Sequence, residues 1–353
     1  MKLFKPTAIA AAGIAFVGIT APQIGSAAET LTATSWGGSY SESQRKAYYE
    51  PFMKETGHTV LEDEWGGDLA KIRAMVDTGN YTTHVIDAES NDVVAGCDEG
   101  VLEPMDWEAL GFTPDDFIEG GALECGIGTI SWSTIFAYDK DQIQSEGPKN
   151  WADFWDVGKF PGKRGMNKTP IANLEFALMA DGVPTDQVYD VLSTPEGVDR
   201  AFAKLDALKD HVIWWEAGAQ APQILADKEV SMTTAWNGRI YTAIVDDGRN
   251  FEIVWDGQIM DYDYWVVPKD HPEKDLAWEF IAFASRPDRQ GDQSNYIAYG
   301  QARKGSDKYI NPDILPNLPT APENTKNWLL SNTQYWADNT EDLENRFNAW
   351  VAQ

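Results

Sequence analysis

Aromatic residues recur beside acids in short polar stretches of this chain. Trp36 and Tyr40 form one such group, Trp214, Trp215 and Glu216 a second, and Trp236-Asn237-Gly238-Arg239 a third. Asp261, Tyr262, Asp263, Tyr264 and Trp265 make a fourth, and Tyr296 with Tyr299 a fifth. The face of an aromatic ring attracts an ammonium or sulfonium by about 0.5–2 kcal/mol, and several rings together make a cage. The chemistry these groups offer is therefore capture of a small organic cation, with Trp214 supplying the ring of the second group. A ring taken singly belongs more often to a hydrophobic core, while their loop positions favour the binding role for Trp36, Trp236 and Tyr299. Signatures of catalysis are missing: there is no G-x-S-x-G, H-E-x-x-H, Walker loop or C-x-x-C, and Cys125-Gly126-Ile127-Gly128 lacks the third glycine of a dinucleotide fingerprint. A carboxylate pair of the glycosidase kind could still hide among 56 acids. A secreted hydrolase is accordingly the rival reading, and a binding protein without enzymatic activity the main one.

Alternating apolar strands and amphipathic helices must position these groups. From Leu31 the pattern is a strand, a turn at Gly37-Gly38, and a helix from Ser41 to Thr56 that Gly57 ends. A strand from Thr59 to Glu64, a helix through Leu69, Ile72 and Val76, and a strand from His84 to Ala88 follow. Strand, helix, strand, helix implies a parallel sheet covered by helices, whose ligands sit beyond the carboxyl ends of the strands. The loops there carry Trp36 to Tyr40, Trp65 to Asp68, and Asp87 to Asn91. The mature chain is too long for one core, so the expected architecture is α/β with two lobes. Residues 29–137 plus 264–310 form the first lobe, and 138–263 plus 311–353 the second. The second has helices at Glu196 to Lys209 and Ala221 to Asp227 and a strand at Val230 to Ala235; Tyr264 to Val267 returns to the first lobe. Repeated crossing without a Gly/Ser tether predicts a hinge of paired strands and a cleft between the lobes.

Composition narrows the setting. Lys2 and Lys5 precede an uncharged stretch, Thr7 to Ile19, that ends near Ser26-Ala27-Ala28, which reads as an export signal cut after Ala28. A formal charge of −28 repels nucleic acid and draws in cations, and it also solvates a surface. Cys97 and Cys125, in a chain sent to an oxidising compartment, are expected to form one structural disulfide worth about 3 kcal/mol. Two cysteines and four scattered histidines do not suit a metal site.

Six segments in order carry a family resemblance: Thr34-Ser35-Trp36-Gly37-Gly38-Ser39-Tyr40, Glu50-Pro51-Phe52 to Glu55-Thr56-Gly57, Ala235-Trp236-Asn237-Gly238, Tyr262-Asp263 to Val267-Pro268, Arg286-Pro287-Asp288, and Leu318-Pro319-Thr320. Together they resemble the periplasmic spermidine/putrescine-binding proteins of ABC importers. The resemblance implies a type II periplasmic-binding-protein fold, with a mixed, mainly parallel sheet in each lobe, that closes on a ligand and hands it to an inner-membrane permease. It puts the aromatic box on Trp36, Tyr40, Trp236 and Tyr299, the hinge carboxylate on Asp263, and Asp87, Glu89 and Ser90 at the site. Two positions depart from the polyamine pattern: Arg239, where those proteins carry an acid, and Lys168-Thr169-Pro170-Ile171-Ala172 in place of an acidic segment. An arginine repels a diamine and can grip a carboxylate in bidentate fashion; alternatively it turns outward or pairs with a neighbouring acid. The expected ligand is then a compact zwitterion, such as a betaine, dimethylsulfoniopropionate or 4-aminobutyrate, with a polyamine as the alternative. No cofactor, metal or nucleic acid is expected, and the chain reads as a periplasmic monomer.

Overall fold

The computed structural model describes Met1 and residues 28–144 and 146–353. The apolar stretch of the expected export signal lies outside the described residues. Ten strands form one hydrogen-bonded sheet: β1 (Thr30–Ser35), β2 (Thr59–Glu64), β3 (Val85–Glu89), β4 (Ile127–Asp139), β5 (Arg164–Asn167), β6 (Val212–Trp215), β7 (Met232–Trp236), β8 (Phe251–Val266), β9 (Gly300–Gln301) and β10 (Trp328–Leu330). Their order is β2-β1-β3-β8-β4-β7-β5-β6, with β10 on β8 and β9 on β4. The outer strands pair in parallel, β1 with β2 and β3, and β5 with β6 and β7. The middle is antiparallel, β8 pairing with both β3 and β4. The expected two sheets thus meet in a continuous path through β4 and β8, whose ladder runs from Ile127 opposite Trp265 to Asp139 opposite Phe251. The return expected at Tyr264 is the far end of β8 itself, which passes through both halves without a break.

Side chains from either end of this ribbon feed separate cores. Leu31, Phe52, Val85, Trp265 and Phe280 pack in one. Phe136, Trp151, Phe176, Phe202, Phe347 and Trp350 pack in the other, so the terminal helix Thr333–Val351 contributes to this second core. The helix after β1 runs through Gly38–Gln44, a π-helical turn Arg45–Tyr49, and Glu50–Thr56, and ends on Gly57 in a left-handed conformation. Cys97 and Cys125 are disulfide-bonded, Cα atoms 5.7 Å apart, tying the helix Ser90–Asp98 to the approach of β4. In the second core the buried Glu175 accepts hydrogen bonds from Tyr189 Oη (3.0 Å) and Trp336 Nε1 (2.7 Å), while its other oxygen has no partner. Burial pushes this carboxyl up to about 7. No helix among the described residues is long and apolar enough to cross a membrane.

Candidate functional site

The antiparallel register of β3 and β8 sets Glu89 directly opposite Asp263, and Asp87 opposite Trp265. Because alternate residues of a strand share a face, all three carboxyls stand on the same side of the sheet. Tyr40 and Gln44, one helical turn apart, reach down onto Asp87: Tyr40 Oη donates to Oδ2 at 2.7 Å and Gln44 Nε2 at 2.5 Å. Trp36 Nε1 donates to Asp87 Oδ1 at 3.3 Å, and Trp132 Nε1 to Asp263 Oδ1 at 2.7 Å. Asp87 and Asp263 are diagonal neighbours on this face. Burial raises both carboxyls above their ordinary range, and the charge of Asp87 raises Asp263 further. Burial, then the charges of Asp261 and Asp92, raise Glu89 as well.

Above these acids the rings close on a narrow chamber of about 20 Å³, lined by Trp36, Tyr40, Trp132, Trp236 and Tyr299 with Glu89, Asp263 and Arg239. Trp236 stands edge-on to Trp36 (centroids 6.3 Å apart) and to Trp132 (5.9 Å), and Tyr40 edge-on to Tyr299 (5.6 Å). Two glycines permit this closeness: a Cβ on Gly218 would come within 2.2 Å of the Trp236 ring, and one on Gly238 within 2.6 Å of Tyr299. Outside lies a wider chamber of about 500 Å³, open to solvent, which Trp65, Trp215, Lys168 and Glu344 help to line.

Arg239 projects from the helix Asn237–Val245 across the cleft. Its Nη1 donates to the carbonyl of Gly37 at 2.8 Å and its Nη2 to that of Trp36 at 3.1 Å, while Nε is buried without a partner. The alternative that it turns outward or pairs with an acid does not hold here: it faces the inner chamber and is held by backbone oxygens of the opposite half. Lys168, in the segment that departs from the polyamine pattern, pairs with Glu216 at 2.8 Å.

Of the residues expected at the site, Trp36, Tyr40, Glu89, Trp236, Arg239, Asp263 and Tyr299 come together around the inner chamber. Two expectations need correction. Trp214 points the other way and packs on Phe347 (centroids 5.5 Å) and Trp350 (6.0 Å), because its place beside Met166 of β5 faces it to the second core. Its neighbour Trp215 takes the cleft side and supports Trp236 at 5.8 Å. Asp87 is fully buried and stands behind the rings, where it orients Trp36 and Tyr40 without lining the chamber. Trp132 was missed: it sits inside β4, in a run buried almost throughout, and only its pairing with Asp261 on β8 sets it beside the acids.

Residues 47–323 match the bacterial extracellular solute-binding protein family. A gamma-aminobutyric acid-binding protein of Pseudomonas aeruginosa is 44% identical over 341 residues, 97% of this chain and 95% of its own. A solved GABA receptor superposes with a TM-score of 0.81 at 34% identity, covering 92% of this chain and 98% of its own. An ABC transporter substrate-binding protein of Bradyrhizobium japonicum USDA 110 superposes with a TM-score of 0.82 at 31% identity, covering 91% and 99%. With a two-lobed α/β fold and an aromatic, acid-floored cleft, the chain belongs to the bacterial extracellular solute-binding protein family and is the substrate-binding component of an ABC transporter.

Proposed function

We propose that this protein captures a compact ω-amino acid zwitterion of the 4-aminobutyrate type in the periplasm, leaves it chemically unchanged, and delivers it to an inner-membrane permease. One observation carries the ligand class: the inner chamber is bounded by Asp263 and Glu89 and, elsewhere on its wall, by Arg239 with a buried Nε that has no partner. A guanidinium has five N–H donors in a fixed fork. Gly37, Ser39 and Trp36 take three of the five, which leaves Nε–H and one Nη2 hydrogen to meet a carboxylate. The ammonium end then lies among the rings and donates to Asp263 and Glu89. Supporting this choice, the relative at 44% identity and the solved receptor at 34% carry γ-aminobutyrate in their names. A betaine or a sulfonium acid would satisfy the rings and Arg239 but has no N–H to give the acids. Putrescine would set its second ammonium against Arg239.

Calorimetry with 4-aminobutyrate, putrescine, glycine betaine and dimethylsulfoniopropionate tests the assignment. Saturable heat with 4-aminobutyrate, a raised melting temperature, and recovery of intact ligand are expected. Tight binding of putrescine or betaine while 4-aminobutyrate gives no heat would overturn it, and turnover of any of the four would favour a hydrolase.

A further inference from the structure

Asp87 and Asp263 present a problem of charge that the aromatic box does not solve. Asp87 is completely buried and Asp263 is 5% exposed, and the two are diagonal neighbours on one face of the β3–β8 ladder. Two acids sharing one buried site resist ionising together, because each charge disfavours the other, so the pair retains a proton. The other donors are already assigned: Tyr40, Gln44 and Trp36 serve Asp87, and Trp132 serves Asp263.

The groups facing the pair do not neutralise it. From the helix after β1 come the phenols of Tyr40, Tyr48 and Tyr49, all uncharged and fully buried. From β4 comes Thr129 Oγ1, 3.4 Å from Tyr40 Oη. Glu89 on β3, opposite Asp263, and Asp261 on β8, close to Glu89, bring further carboxyls and no cation, and Tyr299 brings a phenol. The cation that Asp263 feels is Arg239, three of whose Nη hydrogens go to Gly37, Ser39 and Trp36. Within the pair, Asp263 lines the chamber and Asp87 does not.

We propose that Asp87 is a specificity-determining residue: it and Asp263 hold one proton between them, and the positive end of the ligand is admitted by taking that proton's place. The proposal rests on the reading above that a ligand cation reaches Asp263. The exchange balances. An alkylammonium enters with its charge, the O–H bond of the shared carboxyl breaks, the proton leaves to solvent through the outer chamber, and two carboxylates remain around the ammonium. A neutral isostere brings no charge to compensate the second carboxylate, so the proton stays and the acids discriminate against it.

The test is titration calorimetry at one pH in phosphate and in Tris, whose heats of ionisation differ. With 4-aminobutyrate the difference in heat should report release approaching one proton per ligand, and affinity should rise by up to tenfold per pH unit until the ligand-free pair loses its proton unaided. 4-Hydroxybutyrate, which has the same length and no ammonium, should release none, and in Asp87→Asn the release with 4-aminobutyrate should vanish. Binding of 4-aminobutyrate with heat independent of buffer would overturn the proposal. Infrared absorption of the ligand-free protein reads the same proton without any ligand: Asp87→Asn should remove a carboxylic acid carbonyl band. Absence of that difference refutes the shared proton, whereas its presence with no heat from 4-aminobutyrate upholds the proton and sinks the ligand assignment alone.

Discussion

Replacing Arg239 by alanine separates two things the guanidinium does. Its Nη atoms join the halves through the carbonyls of Gly37 and Trp36, at 2.8 and 3.1 Å, and its Nε–H and spare Nη2 hydrogen remain for a ligand carboxylate. The first role serves any ligand that needs a closed cleft; the second serves only one with a carboxylate. Truncating one partner of a buried, hydrogen-bonded charge pair costs about 2–5 kcal/mol. For 4-aminobutyrate this predicts Kd at least about 30-fold weaker in Arg239→Ala. n-Butylamine has the ammonium without the acid and should lose only the share due to closure. The gap between the two ligands isolates the grip on the carboxylate, about 1.5–3 kcal/mol or roughly 10- to 150-fold. Titration calorimetry of both ligands on both proteins, at fixed pH and salt, gives the four constants needed. Equal losses for the two ligands would mean that Arg239 only fastens the halves, and the acid end of the ligand would have to be sought elsewhere.

Two further outcomes follow from the packing. Trp132→Phe keeps a ring in the chamber but removes the 2.7 Å donor to Asp263, so 4-aminobutyrate affinity should fall by about 1–2 kcal/mol, or roughly five- to thirty-fold, in the same titration. Unchanged affinity would show that the indole N–H does not orient the acid. Glu175, held at about 7 against 4.5 for an ordinary glutamate, stays protonated in the fold while the unfolded chain ionises. Stability should therefore fall by something on the order of 3 kcal/mol as pH rises from about 4.5 to about 7, then level off. Glu175→Gln should lack that decline, as followed by chemical denaturation across the range; parallel profiles for the two proteins would refute it.

The first three strands were legible because their loops are short and their helices end on glycine, as at Gly57. The box was legible for a related reason: Trp36, Tyr40, Glu89, Trp236 and Arg239 all lie at or just past the carboxyl end of a strand. What the sequence hid is a matter of parity and depth. Trp214 and Trp215 are adjacent, and successive residues in a strand point to opposite faces, so only the pairing with Met166 and Asn167 decides which indole meets the cleft. Trp132 belongs to a strand whose apolar run reads as core, and β4 bears register shifts at Gly128/Ile130 and Thr134/Phe136 that periodicity does not reveal. Asp87 and Glu89 look alike in a loop-end motif; their difference is that the rings pass in front of one and beside the other.

The long antiparallel pair β4 and β8 places the acids in a special position. Trp132 and Asp263 sit on these two strands, so the cationic end of the proposed ligand would meet the ribbon that joins the two halves, and a hinge there would leave Trp36 and Trp236 on the arms. A rotation moves points near its axis least. The negative seat for a cation would therefore survive with the jaws apart, ready to attract a solute by charge before the indoles fold over it. Capture would begin with the ammonium end turned toward that seat and finish as enclosure by the rings.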